Sequence, residues 1–233
     1  MEGIKRRPTR AELLASAGKT IPNLVAPGLR ILFVGINPGL YTAWSGYHFA
    51  KPGNRFWPAL YASGLTPRLL DPSEEKELLA LGIGITGFVR RATASAAELT
   101  DDEYRAGGRR LRALVKKFKP RCVVTLGITA YRIAFDAADA KLGRQPERFE
   151  GAELWVLPNP SGLNAHFQAA DYARLFKEVR LGCSAQPSTG STDQSSDAVA
   201  STSRGAAQSA RKYARKQRRS TCMTNISGSI QSG

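Results

Sequence analysis

Two asparagines, Asn37 and Asn159, each stand just beyond an apolar run and just before a proline. The run at 31–34 ("ILFV") opens into "GINPGL" (35–40), and the run at 154–157 ("LWVL") opens into "PNPSGLNAHF" (158–167). Proline fixes its own φ and restricts the residue before it, so an Asn in this step is held with little freedom. Neighbouring glycines let a ligand approach the backbone. An amide does not titrate usefully, so Asn37 is no strong base, but it can orient a water molecule. One such loop is what an ordinary turn would use. Two of them, on strand ends that look adjacent, point towards a site.

Other chemistries are disfavoured by what these loops lack. Neither carries the GxxxxGK[ST] or GxGxxG pattern of a phosphate cradle. Neither holds HExxH, GxSxG or paired carboxylates. No Lys lies in either loop, so a Schiff-base mechanism has no support. The two histidines, His48 and His166, are too few to read as a metal site. A third stretch, "GYHFAKPGNRFWPALYASG" (46–64), places Tyr47, Phe49, Phe56 and Trp57 near Lys51, Asn54 and Arg55. Aromatics beside basic residues are what base stacking and phosphate contact require. Phe56, Leu60 and Trp57 fall at helical positions and suit a core. Phe49, before the Pro-Gly turn, is the better exposed stacking ring.

The elements that must position these residues alternate along the chain. Runs of strand length occupy 31–35, 122–126 and 153–157, with a weaker one at 83–89. "DPSEEKELLAL" has Asp71 as N-cap and Pro72 at the first helical position. "TDDEYRAGGRRLRALVKKFK" opens with Thr100 and Glu103 at capping-box spacing. Residues 128–138 and 168–181 also read as helices. Short buried strands alternating with helices predict an α/β domain with a largely parallel central sheet. In such sheets ligands bind at loops leaving the C-terminal strand ends.

The totals bound the partners. A chain of 233 residues with net charge +15 and pI about 10.2 suits a polyanion, most often nucleic acid. Residues 1–27 read as a basic arm with a short helix at 10–16, and 28–182 as the globular domain. Residues 183–233 read as a disordered, basic Ser/Gly/Thr-rich tail, with seven Lys/Arg against two Asp, a net +5. The globular part therefore keeps its own basicity. The cluster "RKYARKQRR" suits non-specific phosphate contact or a merely solvated tail. Three cysteines without a CxxC pair argue against a zinc ribbon, an iron–sulfur cluster or a disulfide framework, and Cys122 reads as a small buried hydrophobe. The chain reads as cytosolic and reduced. It has no stretch of membrane-span length and no secretory signal, so a soluble intracellular protein is expected.

"GINPGL", "FAKPGNRFW" and "NPSGLN", in this order, resemble the mismatch-specific uracil/thymine DNA glycosylases of the uracil-DNA glycosylase superfamily, over roughly residues 25–181. The resemblance implies a single three-layer α/β domain with a short, mainly parallel sheet flanked by helices. It implies an enzyme that flips uracil from duplex DNA and hydrolyses the N-glycosidic bond to leave an abasic site. Mismatched thymine and ethenocytosine are further candidate bases. Asn37 would position the attacking water, and backbone around Ile36 and Gly39 would contact the base. Phe49 would stack on it. Tyr41 and Thr42 would lie beside the pocket, with Asn54 and Asn159 completing the substrate-binding set. Leu163 would be the wedge that enters the gap, flanked by Ser161, Gly162 and Asn164. The resemblance further implies a monomer working on U:G or related mismatches, with no metal or cofactor, in a cytoplasmic, DNA-associated location. Two features depart from the family: Ala165 and His166 follow the wedge where an Arg is usual, and Tyr41-Thr42 replace small polar residues. Asn in place of a carboxylate predicts slow turnover. A non-catalytic mismatch-binding protein of the same fold is the alternative, and an unrelated nucleotide-binding α/β enzyme the more remote one.

Overall fold

Four five-residue segments form the parallel part of one sheet in the computed structural model, which describes residues 6–184. They are β1 (Ile31–Gly35), β2 (Ile83–Gly87), β3 (Cys122–Leu126) and β5 (Glu153–Leu157); the two-residue β4 (Gly143–Arg144) runs antiparallel to β5. The order across the sheet is β2-β1-β3-β5-β4. Phe33 of β1 lies level with Ile85 of β2 and Val124 of β3. The strands are apolar almost throughout because both faces of the sheet are covered. The expected tail and its basic cluster lie outside the described residues.

Side chains alternate between the two faces, as strand geometry requires. Ile31, Phe33, Val124 and Trp155 face α3 (Phe56–Ala62) and α7 (Ala169–Ser184). Leu32, Val34, Val123 and Val156 face α5 (Asp101–Phe118) and α6 (Ile128–Phe135). Phe33 is fully buried, its ring 5.2 Å from both Phe56 and Phe176. The result is the single α/β domain, with a five-stranded, mainly parallel sheet between helical layers, that the alternation predicts. The remaining helices are short: α1 (Arg10–Leu14), α2 (Leu40–Ser45) and α4 (Glu77–Ala80).

Local signals decide several ends. Thr100 and Glu103 cap each other's backbone N–H at the start of α5, and Lys116 and Lys117 close its last turn against the helix dipole. α5 then passes so near the sheet that a Cβ on Gly107 would sit 2.2 Å from the Phe88 carbonyl oxygen, so only glycine fits. The segment from Asp71 is not one helix. It divides into a 3-10 turn (Pro72–Glu74) and α4, and Glu75 between them turns its carboxylate inwards to His48.

The cysteines correct an expectation. Cys122 is fully buried, as its apolar run suggests, but it forms a disulfide with Cys183, with Cα atoms 5.9 Å apart. The last turn of α7 packs over the start of β3 and brings together two residues 61 positions apart.

Candidate active site

The C-terminal strand ends surround a cavity of about 530 Å³. Its wall is built from the loop after β1, the loop after β5, the segment after β2 and the stretch from His48 to Asn54. The loops after β1 and β5 do not leave neighbouring strands, because β3 lies between them. They meet above it.

Asn37 is anchored through one end of its amide. Nδ2 donates to Thr93 Oγ1 at 2.7 Å and lies 3.1 Å from the carbonyl oxygens of Arg91 and Pro38. Three acceptors around this atom fix it as the NH₂ end. Oδ1 accepts from no described protein group and is left to the cavity. The loop backbone is sorted the same way. The carbonyls of Gly35, Ile36 and Pro38 accept from the N–H groups of Phe88, Val89 and Thr93. The N–H groups of Asn37 and Gly39 donate to no described protein group.

Arg91 is itself braced from α5. Its guanidinium contacts both carboxylate oxygens of Glu103, at 2.5 and 2.9 Å. The Arg91 hydrogen bond, helped by the Thr100 N–H, holds the Glu103 carboxyl down at about 2. A bridge between Thr20 and Arg91 ties the arm to the same segment.

Phe49 forms part of the wall with its ring stacked on Phe56, centroids 4.1 Å apart. Its backbone is left-handed, with φ 54°. Buried His48 holds that shape. The Glu75 carboxylate accepts from the His48 N–H at 2.7 Å and lies 2.9 Å from its Nδ1, while Trp57 Nε1 donates to the His48 carbonyl at 3.0 Å. His48 is thus tied into the core, whereas His166 is exposed.

The loop after β5 satisfies its own polar groups. Asn159 Oδ1 accepts from the Ser161 N–H, and Ser161 Oγ accepts from the Leu163 N–H, both at 3.3 Å. Tyr172 on α7 donates its hydroxyl to the Asn159 carbonyl at 2.6 Å. Burial pushes the Tyr172 phenol up, so it remains a donor. Asn164 donates to Tyr172 Oη and the Asn159 carbonyl and accepts from the His166 N–H, so both ends of its amide are engaged within the loop. Leu163 stands at the tip, 82% exposed.

Of the residues singled out from sequence, the fold brings Ile36, Asn37, Gly39, Thr42, Phe49, Asn54, Asn159, Ser161, Leu163 and Asn164 to one cavity. Tyr41 does not reach it: one helical step from Thr42, its ring packs on Trp44, centroids 5.4 Å apart. Gly162 lies outside the wall as well. Asn54 stands just before the Arg55 N-cap of α3, its Oδ1 accepting from the Phe56 N–H at 2.9 Å. Sequence reading missed Thr93 and Thr86, and it missed Ile21 and Asn23 of the arm, all of which line the cavity. Asn23 Oδ1 accepts from Thr86 Oγ1 at 2.9 Å. No local pattern marks such partners, which lie 50 or more residues from the groups they serve. The titratable side chains of the wall are His48, Lys51 and Arg90, and none is a carboxylate. Lys51 and Arg90 are exposed and join no ion pair among the described residues. Among those residues, no three His, Cys, Asp or Glu cluster as a metal site. No helix there is long and apolar enough to cross a membrane.

The site is thus a carboxylate-free cavity at the strand ends of an α/β domain, with an exposed apolar loop tip beside it. A sequence model of the uracil DNA glycosylase superfamily matches residues 22–180, and the chain belongs to that superfamily. Membership carries the general activity of a DNA glycosylase, hydrolysis of a base's N-glycosidic bond. The chain is also similar to a solution NMR structure of a Methanosarcina acetivorans protein assigned to the uracil DNA glycosylases. Identity is 20% with a TM-score of 0.45, covering 70% of this chain and 98% of that one, a likeness that carries no functional argument.

Proposed function

We propose that the protein removes uracil from duplex DNA, with a preference for uracil opposite guanine, and leaves an intact abasic strand. The observation that carries this reading is Asn37. Its NH₂ is tied to Thr93 and Arg91, and its oxygen is left to a cavity whose wall holds no carboxylate. Such an oxygen can accept an O–H from one water and aim that water's lone pair at the sugar carbon.

The residues then divide the work. Extruding a base costs a few kcal/mol, least at a mismatch. Leu163 fills the vacated stack. Phe49 supplies a face for the extruded ring. As the bond from C1′ to the base breaks, the electron pair leaves with the base. The N–H groups of Asn37 and Gly39, without an acceptor among the described residues, stabilise that anion in this reading. The water oxygen bonds to C1′, and its proton passes to the departing base or to solvent. Nothing in the wall takes that proton as a carboxylate would, so the chemical step is slow. Lys51 and Arg90 on the rim suit phosphates. Lys51 is exposed rather than desolvated, unlike an amine activated for strand cleavage.

The test is a glycosylase assay in EDTA on duplexes carrying one U:G, U:A, T:G or ethenocytosine:G pair, with hot alkali to cut abasic products. Alkali-dependent cleavage, strongest at U:G and abolished in Asn37→Ala, supports the reading. Cleavage without alkali overturns the monofunctional part. No cleavage of any duplex, with mismatch binding intact, assigns the site to recognition alone.

A further inference from the structure

We infer that Arg55 is the positioning residue of the apolar tip: its guanidinium holds the loop after β5 in the shape that presents Leu163. This rests on the glycosylase reading above, in which Leu163 enters the stack.

The contacts are specific. Arg55 Nη1 donates to the Ser161 carbonyl at 2.8 Å and to the Asn164 carbonyl at 3.0 Å. Those two carbonyls bracket the tip, one residue before Gly162 and one after Leu163. The Arg55 backbone N–H adds a third contact, to the Pro160 carbonyl at 2.9 Å. Behind the fork, the guanidinium carbon lies 5.9 Å from the centroid of the Tyr172 ring, whose hydroxyl ties down Asn159. The tip also rests on the turn just before Arg55: a Cβ on Gly162 would sit 2.8 Å from the Gly53 carbonyl oxygen, where backbone cannot yield.

These contacts change what the basic residue is for. Composition places Arg55 beside aromatics as a phosphate contact, but its donors point into the loop. It is half-buried and makes no ion pair among the described residues, so its charge is met by carbonyl dipoles and an aromatic face. Without it, two carbonyls converge with no donor between them. An 82% exposed leucine on such a loop gains nothing from the protein that would keep it in place. A guanidinium suits the task because its rigid plane fixes the directions of the two N–H groups on Nη1, whereas a lysine offers a flexible point charge.

The test is a double-mutant cycle on kcat/KM for a U:G duplex, using Leu163→Ala, Arg55→Ala and the pair, with the parent protein alongside. Arg55→Ala is expected to lower kcat/KM by about tenfold to a hundredfold, the scale of losing hydrogen bonds from a charged donor, and Leu163→Ala by at least as much because it removes the wedge itself. The double variant is expected to fall no further than the weaker single one, because both act through the same wedge. The salt dependence of kcat/KM is expected to be unchanged in Arg55→Ala. Arg55→Lys is expected to recover only part of the loss. Losses that multiply in the double variant overturn the proposal. So does a salt slope shallower by about one, the mark of a lost phosphate contact. So does full recovery with Lys, or no loss at all in Arg55→Ala. If Arg55→Ala does not fold, Arg55→Gln carries the same cycle. A parent protein that releases no uracil refutes the glycosylase reading instead, and is told apart because every variant is measured against it.

Discussion

The amide of Asn37 reaches across 56 residues of chain to Thr93, with Nδ2 2.7 Å from Oγ1. Two loops that follow different strands, β1 and β2, thereby set the direction in which one carbonyl oxygen faces. Removing that acceptor, the shortest of the three, leaves the amide only the Arg91 and Pro38 carbonyls at 3.1 Å and loosens its aim. Thr93→Val is expected to lower the single-turnover rate at U:G by about tenfold to a hundredfold, the scale of one misdirected hydrogen-bonding group. KM should change little, and Thr93→Ser should restore most of the rate. An unchanged rate in Thr93→Val shows that the Arg91 and Pro38 carbonyls aim the amide without the hydroxyl.

Glu75 controls Phe49 at one remove. Its carboxylate accepts from the His48 N–H and meets Nδ1, and the next residue has a left-handed backbone. Glu75→Ala is expected to destabilise the protein by about 2–3 kcal/mol, because hydrogen bonds to a buried charge are lost. That corresponds to a fall of roughly 5–10 °C in Tm by calorimetry. Glu75→Gln, which keeps one acceptor, should recover part of it.

The Arg91–Glu103 pair predicts an acid limit. Glu103 is held at about 2, below the ordinary carboxylate range, chiefly by the Arg91 hydrogen bond. A carboxyl depressed in the folded state favours folding fully above its unfolded value, near 4.5, and loses that contribution as pH falls towards 2. Glu103→Gln should therefore flatten the decline in Tm between about pH 4.5 and 2, and lower Tm at neutral pH. Melting curves collected across that range check both statements. Parallel curves for parent and variant refute the assignment.

Gly107 tests the packing of α5. A methyl group there would meet the Phe88 carbonyl oxygen at 2.2 Å, and neither a strand exit nor a helix axis can yield that much. Gly107→Ala is expected to cost about 1–3 kcal/mol by overpacking, although alanine is the better helix former. Urea denaturation should show a lower midpoint with the same slope. A variant at least as stable as the parent means that α5 does not lie so close.

Much was legible in the sequence because it is local. The apolar runs at 31–35, 122–126 and 153–157 are strands at those residues, and Thr100 with Glu103 caps α5, because periodicity and capping act over a few residues. The two Asn-Pro loops announced themselves by an Asn held before a proline with glycine close by. Alternating strands and helices then predicted a parallel sheet with the two Asn-Pro loops at its C-terminal edge, and the resemblance added Phe49 and Leu163 to the site of Asn37.

Only the tertiary structure decided what each group faces. The segment from Asp71 has every helix signal, yet divides where Glu75 turns to His48, since a buried carboxylate contact outweighs propensity. Cys122 and Cys183 pair because α7 crosses the start of β3, which no spacing announces. Arg55 and Tyr41 sit in stretches that read as phosphate and pocket contacts, but one holds carbonyls of the opposite loop and the other packs on Trp44. Residue type and spacing determined the elements and the chemistry available to them. Partners for Asn37, Phe49 and Leu163 are supplied by Thr93, Glu75 and Arg55, and long-range packing against a covered sheet, not local pattern, chose them.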